Sequence, residues 1–156
     1  MKQVDYVFDS SCLIKLNREQ PVDLYPSVWH QVETLTETGR AVLPREARRE
    51  IDAKDDVLKA WVKDRPGIVC EETAADLAVV ALISAAHSSW VRGKKNAADP
   101  FVIAAAVRLG ATVVTDERWA GRGSDDSNLR IPNIAVEHGV ECIDFTVLVR
   151  REQWRF

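Results

Sequence analysis

Short apolar runs alternate with helix-like segments along the chain, and this alternation limits the possible folds more than any other feature. ATVVTDE, at residues 111–117, is the clearest strand because it contains an unbroken β-branched run. Such a run is typical of a strand covered on both faces of a parallel sheet. VDYVF at residues 4–8 and AVLP at residues 41–44 predict two earlier strands. The alternation therefore predicts an α/β domain with a mainly parallel central sheet flanked by helices in three layers.

The segments between these runs carry helical signals. Apolar residues recur at helical spacing, and Thr73, Asp99-Pro100 and Gly110 are typical of helix ends. GIVCEE and VECIDF predict two further strands, and residues 120–133 predict a mobile surface loop. The predicted helices cover residues 12–17, 24–38, 45–62, 74–90, 99–109 and 134–138.

Length and composition are those of one globular domain. With 156 residues, 46% of them hydrophobic and 29% charged, the chain can bury a core without disulfides or a structural metal, so we expect one domain over residues 1–156. The three cysteines and three histidines show no metal-binding spacing, which favours reduced thiols and structural histidines. Neither a signal peptide nor an apolar run of about 20 residues is evident, and we expect a cytoplasmic protein.

Four acidic residues stand where short apolar runs of the sequence stop. They are Asp9, Glu50, Asp99 and Asp116. Carboxylates at the ends of parallel strands point into the crevice where such sheets bind ligands, and several of them together repel one another unless cations share the site. Oxygen ligands without His or Cys favour Mg²⁺ or Mn²⁺. The sequence therefore predicts a divalent metal site.

Three of these acids have competing interpretations. Asp99 before Pro100 also suits a helix cap, and Glu46 lies one turn from Glu50 as a reserve ligand. Asp116 is followed by Glu117, and strand alternation allows only one of the two to face the crevice.

Basic residues form two local clusters despite a net charge of −3. One consists of Arg45, Arg48 and Arg49, and the other of Arg92, Lys94 and Lys95. Either could be a solvated surface, but the second directly precedes Asp99 and could equally bind phosphate groups. Among the five tryptophans, helical spacing places Trp29, Trp61 and Trp90 in the core. Trp119 could stack on a nucleobase or pack within its loop.

The ordered set of motifs resembles the PIN domain, a metal-dependent nuclease fold. The resemblance rests on the strand ending in Asp9-Ser10-Ser11, on helix-borne Glu50, on ADPFVIAAAVRLGATVVTDE, and on the tail RIPNIAVEHGVECIDF. It covers nearly the whole chain and is greatest for small prokaryotic PIN proteins. It implies that Asp9, Glu50, Asp99 and Asp116 bind Mg²⁺ or Mn²⁺, while Ser10 and Thr115 hydrogen-bond carboxylates or phosphate.

The resemblance also implies an activity and partners. The activity would be hydrolysis of RNA phosphodiester bonds by metal-activated water, with Arg92, Lys94 and Lys95 holding the RNA backbone. The chain would be the toxin of a toxin–antitoxin pair, with an antitoxin partner that can bind DNA, a homodimeric state and no membrane association. The alternative is a non-catalytic PIN-like module that binds RNA or protein. A phosphoacceptor receiver domain is disfavoured, because DSS supplies no acidic pair and TDE no lysine.

Overall fold

The computed structural model describes residues 3–156 as an α/β fold built on a five-stranded sheet. The strands are β1 (Tyr6–Phe8), β2 (Ala41–Pro44), β3 (Val69–Cys70), β4 (Thr112–Val114) and β5 (Cys142–Ile143). Their order is β3-β2-β1-β4-β5, and all neighbouring strands are parallel. The predicted α/β class with a parallel central sheet is confirmed.

Eight α-helices within this described range flank the sheet. They are α1 (Ser10–Glu19), α2 (Pro26–Glu37), α3 (Arg45–Lys54), α4 (Asp56–Lys63), α5 (Ala74–Ala86), α6 (Asp99–Leu109), α7 (Ile131–Ala135) and α8 (Phe145–Arg151). Short 3₁₀ turns cover Pro66–Ile68, Asp126–Asn128 and Val136–His138. None of the helices in residues 3–156 is long and apolar enough to cross a membrane.

The central strand β1 is buried on both faces. Tyr6, Val7 and Phe8 are all buried, although successive side chains of a strand point to opposite faces. Val7 is paired with Val42 on one side and Val113 on the other. Helices must therefore cover both faces of the sheet, which gives the three-layer arrangement that the apolar runs predicted.

The direction of strand addition reverses between β1 and β4. The chain proceeds from β1 outward to β2 and β3, then crosses back to β4 and continues to β5. Parallel α/β sheets bind ligands at the carboxyl ends of their strands at such a reversal. Asp9 follows β1 and Thr115 follows β4, and the Asp9 backbone N–H donates to the Val114 carbonyl at 2.9 Å. The fold therefore places these two residues side by side.

The single helix predicted over residues 45–62 is wrong, because the chain breaks into α3 and α4 at Asp55. Asp55 has an extended backbone with φ of −147°, and its Oδ1 accepts a hydrogen bond from the Leu58 N–H at 3.0 Å. The Asn17 side chain also donates to this carboxylate. Aspartate favours the N-cap over the helix interior, so a local cap interrupts the apolar periodicity.

The helix predicted to reach Trp90 ends earlier, at Ala86. Its start is as expected, since Thr73 and Asp76 form a capping box. Its end differs because the His87 ring contacts acidic groups, and the buried Trp90 donates its indole N–H to the Leu129 carbonyl at 2.8 Å.

The C-terminal third contains more helix than expected. The loop predicted over 120–133 includes a 3₁₀ turn and ends where α7 begins at Ile131, ahead of the predicted start at Ile134. Helix α8 forms in a segment for which the sequence predicted no helix.

The core explains three of the tryptophans, as predicted. Trp29, Trp61 and Trp90 are buried, and the rings of Trp29 and Trp61 pack edge to face with centroids 5.3 Å apart. All three cysteines are free thiols; Cys12 is buried and the others are half-buried.

Candidate metal and nucleic-acid site

Asp9 lies at the junction of β1 and α1, at the carboxyl edge of the sheet. Its carboxylate does not cap α1; instead, Oδ2 accepts hydrogen bonds from Ser11 Oγ at 2.5 Å and Thr115 Oγ1 at 2.8 Å. Only 2% of Asp9 is exposed. Burial raises the pKa of Asp9, and the two hydroxyl groups offset part of that effect. Asp9 is therefore a buried acid held by hydroxyls rather than by a basic side chain.

Glu50 reaches the same edge from α3, whose buried face is formed by Ala47 and Ile51. Its Oε2 accepts a hydrogen bond from Ser10 Oγ at 2.9 Å, and Lys54 Nζ lies 3.7 Å away. Burial raises the pKa of Glu50, and the negative charge of Asp9 raises it further. The long separation in sequence between Glu50 and Asp9 is thus closed by the packing of α3 beside α1.

Asp99 is the first residue of α6 but does not cap it. Ala98 occupies the cap position, and no side-chain capping hydrogen bond forms there. Asp99 is 6% exposed, and no hydrogen bond from residues 3–156 reaches its carboxylate. Burial raises its pKa well above the usual range, and the charges of Asp9 and Glu117 add to the effect. The capping interpretation is therefore not supported for Asp99.

Asp116 and Glu117 occupy different surroundings at the end of β4. Asp116 Oδ1 pairs with Lys15 Nζ at 2.8 Å, and about a third of the Asp116 side chain is exposed. Glu117 is more enclosed, and its Oε2 accepts the Ile131 backbone N–H at 3.2 Å. Burial, followed by the charge of Asp9, raises the pKa of Glu117 to about 7. The structure brings Glu117, not the predicted Asp116, into electrostatic contact with Asp9 and Asp99.

Hydroxyl groups hold these carboxylates in position. Ser10 donates a hydrogen bond to Glu50, and Thr115 donates one to Asp9, as the resemblance implied for carboxylates. Ser11, which the sequence analysis did not single out, bonds Asp9 and also accepts the Asp116 backbone N–H at 3.0 Å. Its position two residues after a strand-end aspartate was the available signal.

One cavity of about 410 Å³, which we call the acidic cavity, is lined by five acidic residues: Asp9, Glu50, Asp99, Asp116 and Glu117. Basic side chains surround the carboxylates and form its rim: Lys15, Arg18, Lys54, Lys94 and Lys95. Of these, Lys15 pairs with Asp116, and Lys54 lies within ion-pair distance of Glu50. A negative floor with a positive rim suits a ligand that carries negative charge around a cation.

The donor set fits a divalent cation with a preference for oxygen. Burial raises the pKa values of Asp9, Glu50, Asp99 and Glu117, and the charge of Asp9 raises those of the other three further. A bound cation relieves such repulsion. Within residues 3–156, no three acidic, His or Cys side chains yet converge closely enough to hold one ion. Hydrogen bonds from Ser10, Ser11, Thr115 and Ile131 hold three of the four carboxylates, so closing on an ion requires rotamer changes.

The basic cluster before Asp99 divides between the cavity and the surface outside it. Lys94 and Lys95 lie on the cavity rim, whereas Arg92 does not line this cavity. Arg92 and Lys95 exchange backbone hydrogen bonds of 3.1 and 2.9 Å across a tight turn. The turn therefore brings two of the three predicted phosphate contacts to the acids.

The earlier basic cluster lies among acidic residues of its own. Arg45 pairs with Glu72, Arg48 lies 3.7 Å from Asp52, and Arg49 pairs with Glu46 at 2.9 Å. This last pair also removes Glu46, the reserve ligand, from the acidic cavity. The cluster is thus occupied by local ion pairs.

Two larger cavities adjoin the acidic cavity. One, of about 950 Å³, is lined mainly by residues 116–130, and the other, of about 540 Å³, lies beside Cys142 and Phe145. Lys15, Asp116 and Glu117 line all three cavities. The acidic cavity therefore belongs to a longer, continuous concave surface.

The fold and site define a class: a parallel α/β domain with a cluster of buried carboxylates at the strand-order reversal. A family model described as a domain of unknown function, DUF4411, matches residues 6–156. The chain belongs to this family. No curated protein matches the sequence.

Proposed function

We propose that this chain is a PIN-like ribonuclease that depends on Mg²⁺ or Mn²⁺ and hydrolyses RNA phosphodiester bonds at the acidic cavity. The observation that carries the proposal is the meeting of four acidic side chains from distant segments at the strand-order reversal. Burial raises the pKa values of all four, and the charge of Asp9 adds to the effect on Glu50, Asp99 and Glu117. Retaining so much like charge in one buried place is costly for folding, which favours a functional role.

Asp9, Glu50, Asp99 and Glu117 would hold the metal. When bound, the ion would supply positive charge for a phosphodiester and a more acidic water as nucleophile. Asp9 would be the central carboxylate because its charge raises the pKa of each of the other three. Its hydroxyl partners would fix its orientation, since Ser11 and Thr115 both donate to Oδ2. Oδ1 would then be the oxygen left for a cation.

The rim would position the substrate. Lys94 and Lys95 lie beside the carboxylates and form no ion pair within residues 3–156. They are therefore available to bind phosphates on either side of the scissile bond. Without such contacts the acidic floor would repel RNA.

The test of this proposal compares wild type with Asp9→Asn. Wild type should cleave RNA with Mn²⁺ and lose that activity in chelator, whereas Asp9→Asn should lose at least about 100-fold of the rate, because the amide keeps its shape but not its charge. Asp23→Asn is the matched control, since Asp23 is exposed and outside the cavity. Cleavage by Asp9→Asn at the wild-type rate would overturn the assignment.

Metal binding gives a separate readout. Millimolar Mn²⁺ should raise the melting temperature of wild type and not that of Asp9→Asn, because an ion that binds only the folded state stabilises it. A wild type that neither shifts nor cleaves would favour the alternative, a non-catalytic module.

A toxin role is the biological part of the proposal, and the PIN resemblance supports it. A chain of this kind would arrest growth when expressed, and Asp9→Asn would not. A neighbouring gene for a small DNA-binding protein would be the candidate antitoxin, and co-expression should restore growth.

A further inference from the structure

Trp119 is the large aromatic residue most open to solvent among residues 3–156 outside the C-terminal residue Phe156. It is 62% exposed, whereas Trp29 and Trp90 are almost fully buried. Packing within its own loop therefore does not account for Trp119. An indole kept in water loses the stabilisation that burial would give it, so its position calls for a partner.

Trp119 lies at the point where the concave surface continues beyond the acidic cavity. It lines both the 950 Å³ and the 540 Å³ cavities and stands two residues after Glu117. The backbone around it is anchored, because Glu117 accepts the Ile131 N–H and the Ala120 N–H donates to Asn133 Oδ1 at 2.9 Å. The chain that carries the ring is thus held beside the proposed cleavage centre.

The charges around Trp119 match a nucleic-acid strand. Arg118 and Arg130 line the same 950 Å³ cavity, and neither forms an ion pair with an acid in the part of the chain that the structure describes. Asn96 and Asn128 add amide groups that can donate or accept hydrogen bonds. An aromatic surface with cationic and amide neighbours has the chemistry that binds an unpaired nucleotide.

We propose that the 950 Å³ cavity binds an unpaired nucleobase of the RNA, stacked on Trp119, next to the phosphate held at the acidic cavity. This inference rests on the proposed nuclease function and adds to it a nucleobase subsite beside the cleaved bond. In a duplex both faces of each base are covered by its stacked neighbours, and an indole cannot reach them without unstacking.

The first experiment compares cleavage of a single-stranded RNA with that of the same strand annealed to its complement, in Mn²⁺. Wild type should cleave the single strand faster. Trp119→Leu should raise the KM for the single strand roughly 10-fold or more and leave kcat nearly unchanged, because a stacking contact made before the chemical step is lost. Trp119→Phe should recover most of that loss, since it keeps an aromatic face.

Arg122→Ala is the matched control for loop and charge effects. Arg122 is exposed on the same loop but does not line the 950 Å³ cavity, so its KM should stay at the wild-type value. Arg130→Ala should raise the KM. Equal cleavage of duplex and single strand, or a wild-type KM in Trp119→Leu, would overturn the subsite.

Tryptophan fluorescence separates failure of the subsite from failure of the nuclease proposal. An adenine oligoribonucleotide added in Ca²⁺ should quench wild-type fluorescence, and Trp119→Phe should lose most of the quenching. Trp29, Trp61 and Trp90 are buried, and the half-buried Trp154 packs against Phe145 and does not line the 950 Å³ cavity. If quenching depends on Trp119 but the protein never cleaves RNA, the nuclease proposal is refuted and the base-binding subsite is supported. If RNA is cleaved without such quenching, only the subsite proposal is refuted.

Discussion

The acidic side chains at the two ends of β1 have different partners. At the amino end, Arg40 donates to Asp5 at 2.7 Å and to both oxygens of Glu152 at 2.7 and 2.9 Å, while the Tyr6 hydroxyl donates to Glu152 at 2.6 Å. The Arg40 guanidinium holds the pKa of Glu152 below its usual range. At the carboxyl end, Asp9 has hydroxyl partners and three raised-pKa acidic neighbours.

This contrast separates a stabilising cluster from one that we propose to be functional. A carboxylate with an arginine and a hydroxyl donor is satisfied and contributes to folding. Carboxylates that raise one another's pKa weaken the fold, and such groups concentrate at sites that bind a ligand. At the amino end of β1 the acidic side chains are paired with an arginine, whereas at the carboxyl end the buried Asp9 has only hydroxyl partners.

The largest effect that tests this contrast concerns the two adjacent acids after β4. Glu117→Gln should lower RNA cleavage by more than about 100-fold, because it removes one of the four clustered charges. Asp116→Asn should change the rate only a few-fold, since Asp116 lines the cavity but is already paired with Lys15. Initial rates in Mn²⁺ decide between them. If Asp116→Asn proved the inactive one, the assignment of Glu117 would be reversed.

The next effect is on stability at the amino end. Glu152→Gln should lower the free energy of unfolding by about 1–2 kcal/mol, because charge-assisted hydrogen bonds from Arg40 are weakened; the partly exposed Arg40 limits the loss. Urea denaturation in chelator measures it. Glu137→Gln, more exposed than Glu152, should cost less. If Glu152→Gln leaves the free energy of unfolding unchanged, the amino end of β1 is not a stabilising cluster.

The pH dependence of stability should have opposite signs at the two ends. In metal-free protein, the pKa of Glu117 is raised from 4.5 to about 7, so the folded state binds more protons and stability falls as pH rises through that window. The pKa of Glu152 is lowered, so its contribution is present above the normal glutamate pKa and is lost as pH falls through the lowered value.

Two variants separate these contributions. Denaturation in chelator from about pH 2 to pH 8 should show a smaller loss of stability towards neutral pH in Glu117→Gln than in wild type. Glu152→Gln should instead flatten the acid side of the curve. Identical profiles for all three proteins would contradict the pKa shifts at both ends.

The smallest effect concerns the rim lysines. Lys94→Gln with Lys95→Gln should raise the KM for RNA a few-fold and reduce its salt dependence, because two phosphate contacts are lost. Stability should change little, in contrast with substitution of Arg40. Arg92→Gln is the matched control and should behave as wild type. If Arg92→Gln raises the KM as much as the lysine substitutions do, the turn does not determine which of the three residues contact RNA.

The sequence was informative where local pattern and fold geometry agree. The apolar runs predicted the parallel sheet, and a strand-end acid such as Asp9 needs only that topology to reach the crevice. It could not choose between Asp116 and Glu117, because both are acids and the backbone turn after β4 decides which enters the cluster. It likewise grouped Arg92 with Lys94 and Lys95, since charge spacing does not reveal a tight turn.

Helix boundaries failed for a related reason. Asp55 lies within an unbroken apolar periodicity, and its capping role depends partly on Asn17, a contact between residues distant in sequence. The proposed role of Trp119 in base stacking likewise rests on its solvent exposure, which a local sequence pattern does not reveal.

The central position of β1 has a consequence for when the site can exist. Asp9 is made before its hydroxyl partner Thr115, which lies 106 positions later, and Glu117 follows Thr115. At roughly 5–20 residues per second, synthesis of that interval takes about 5–20 s. A nascent chain therefore carries Asp9 without Thr115 and Glu117 throughout that interval, and the proposed nuclease site is incomplete while the chain lies beside the ribosomal RNA and the message that encodes it.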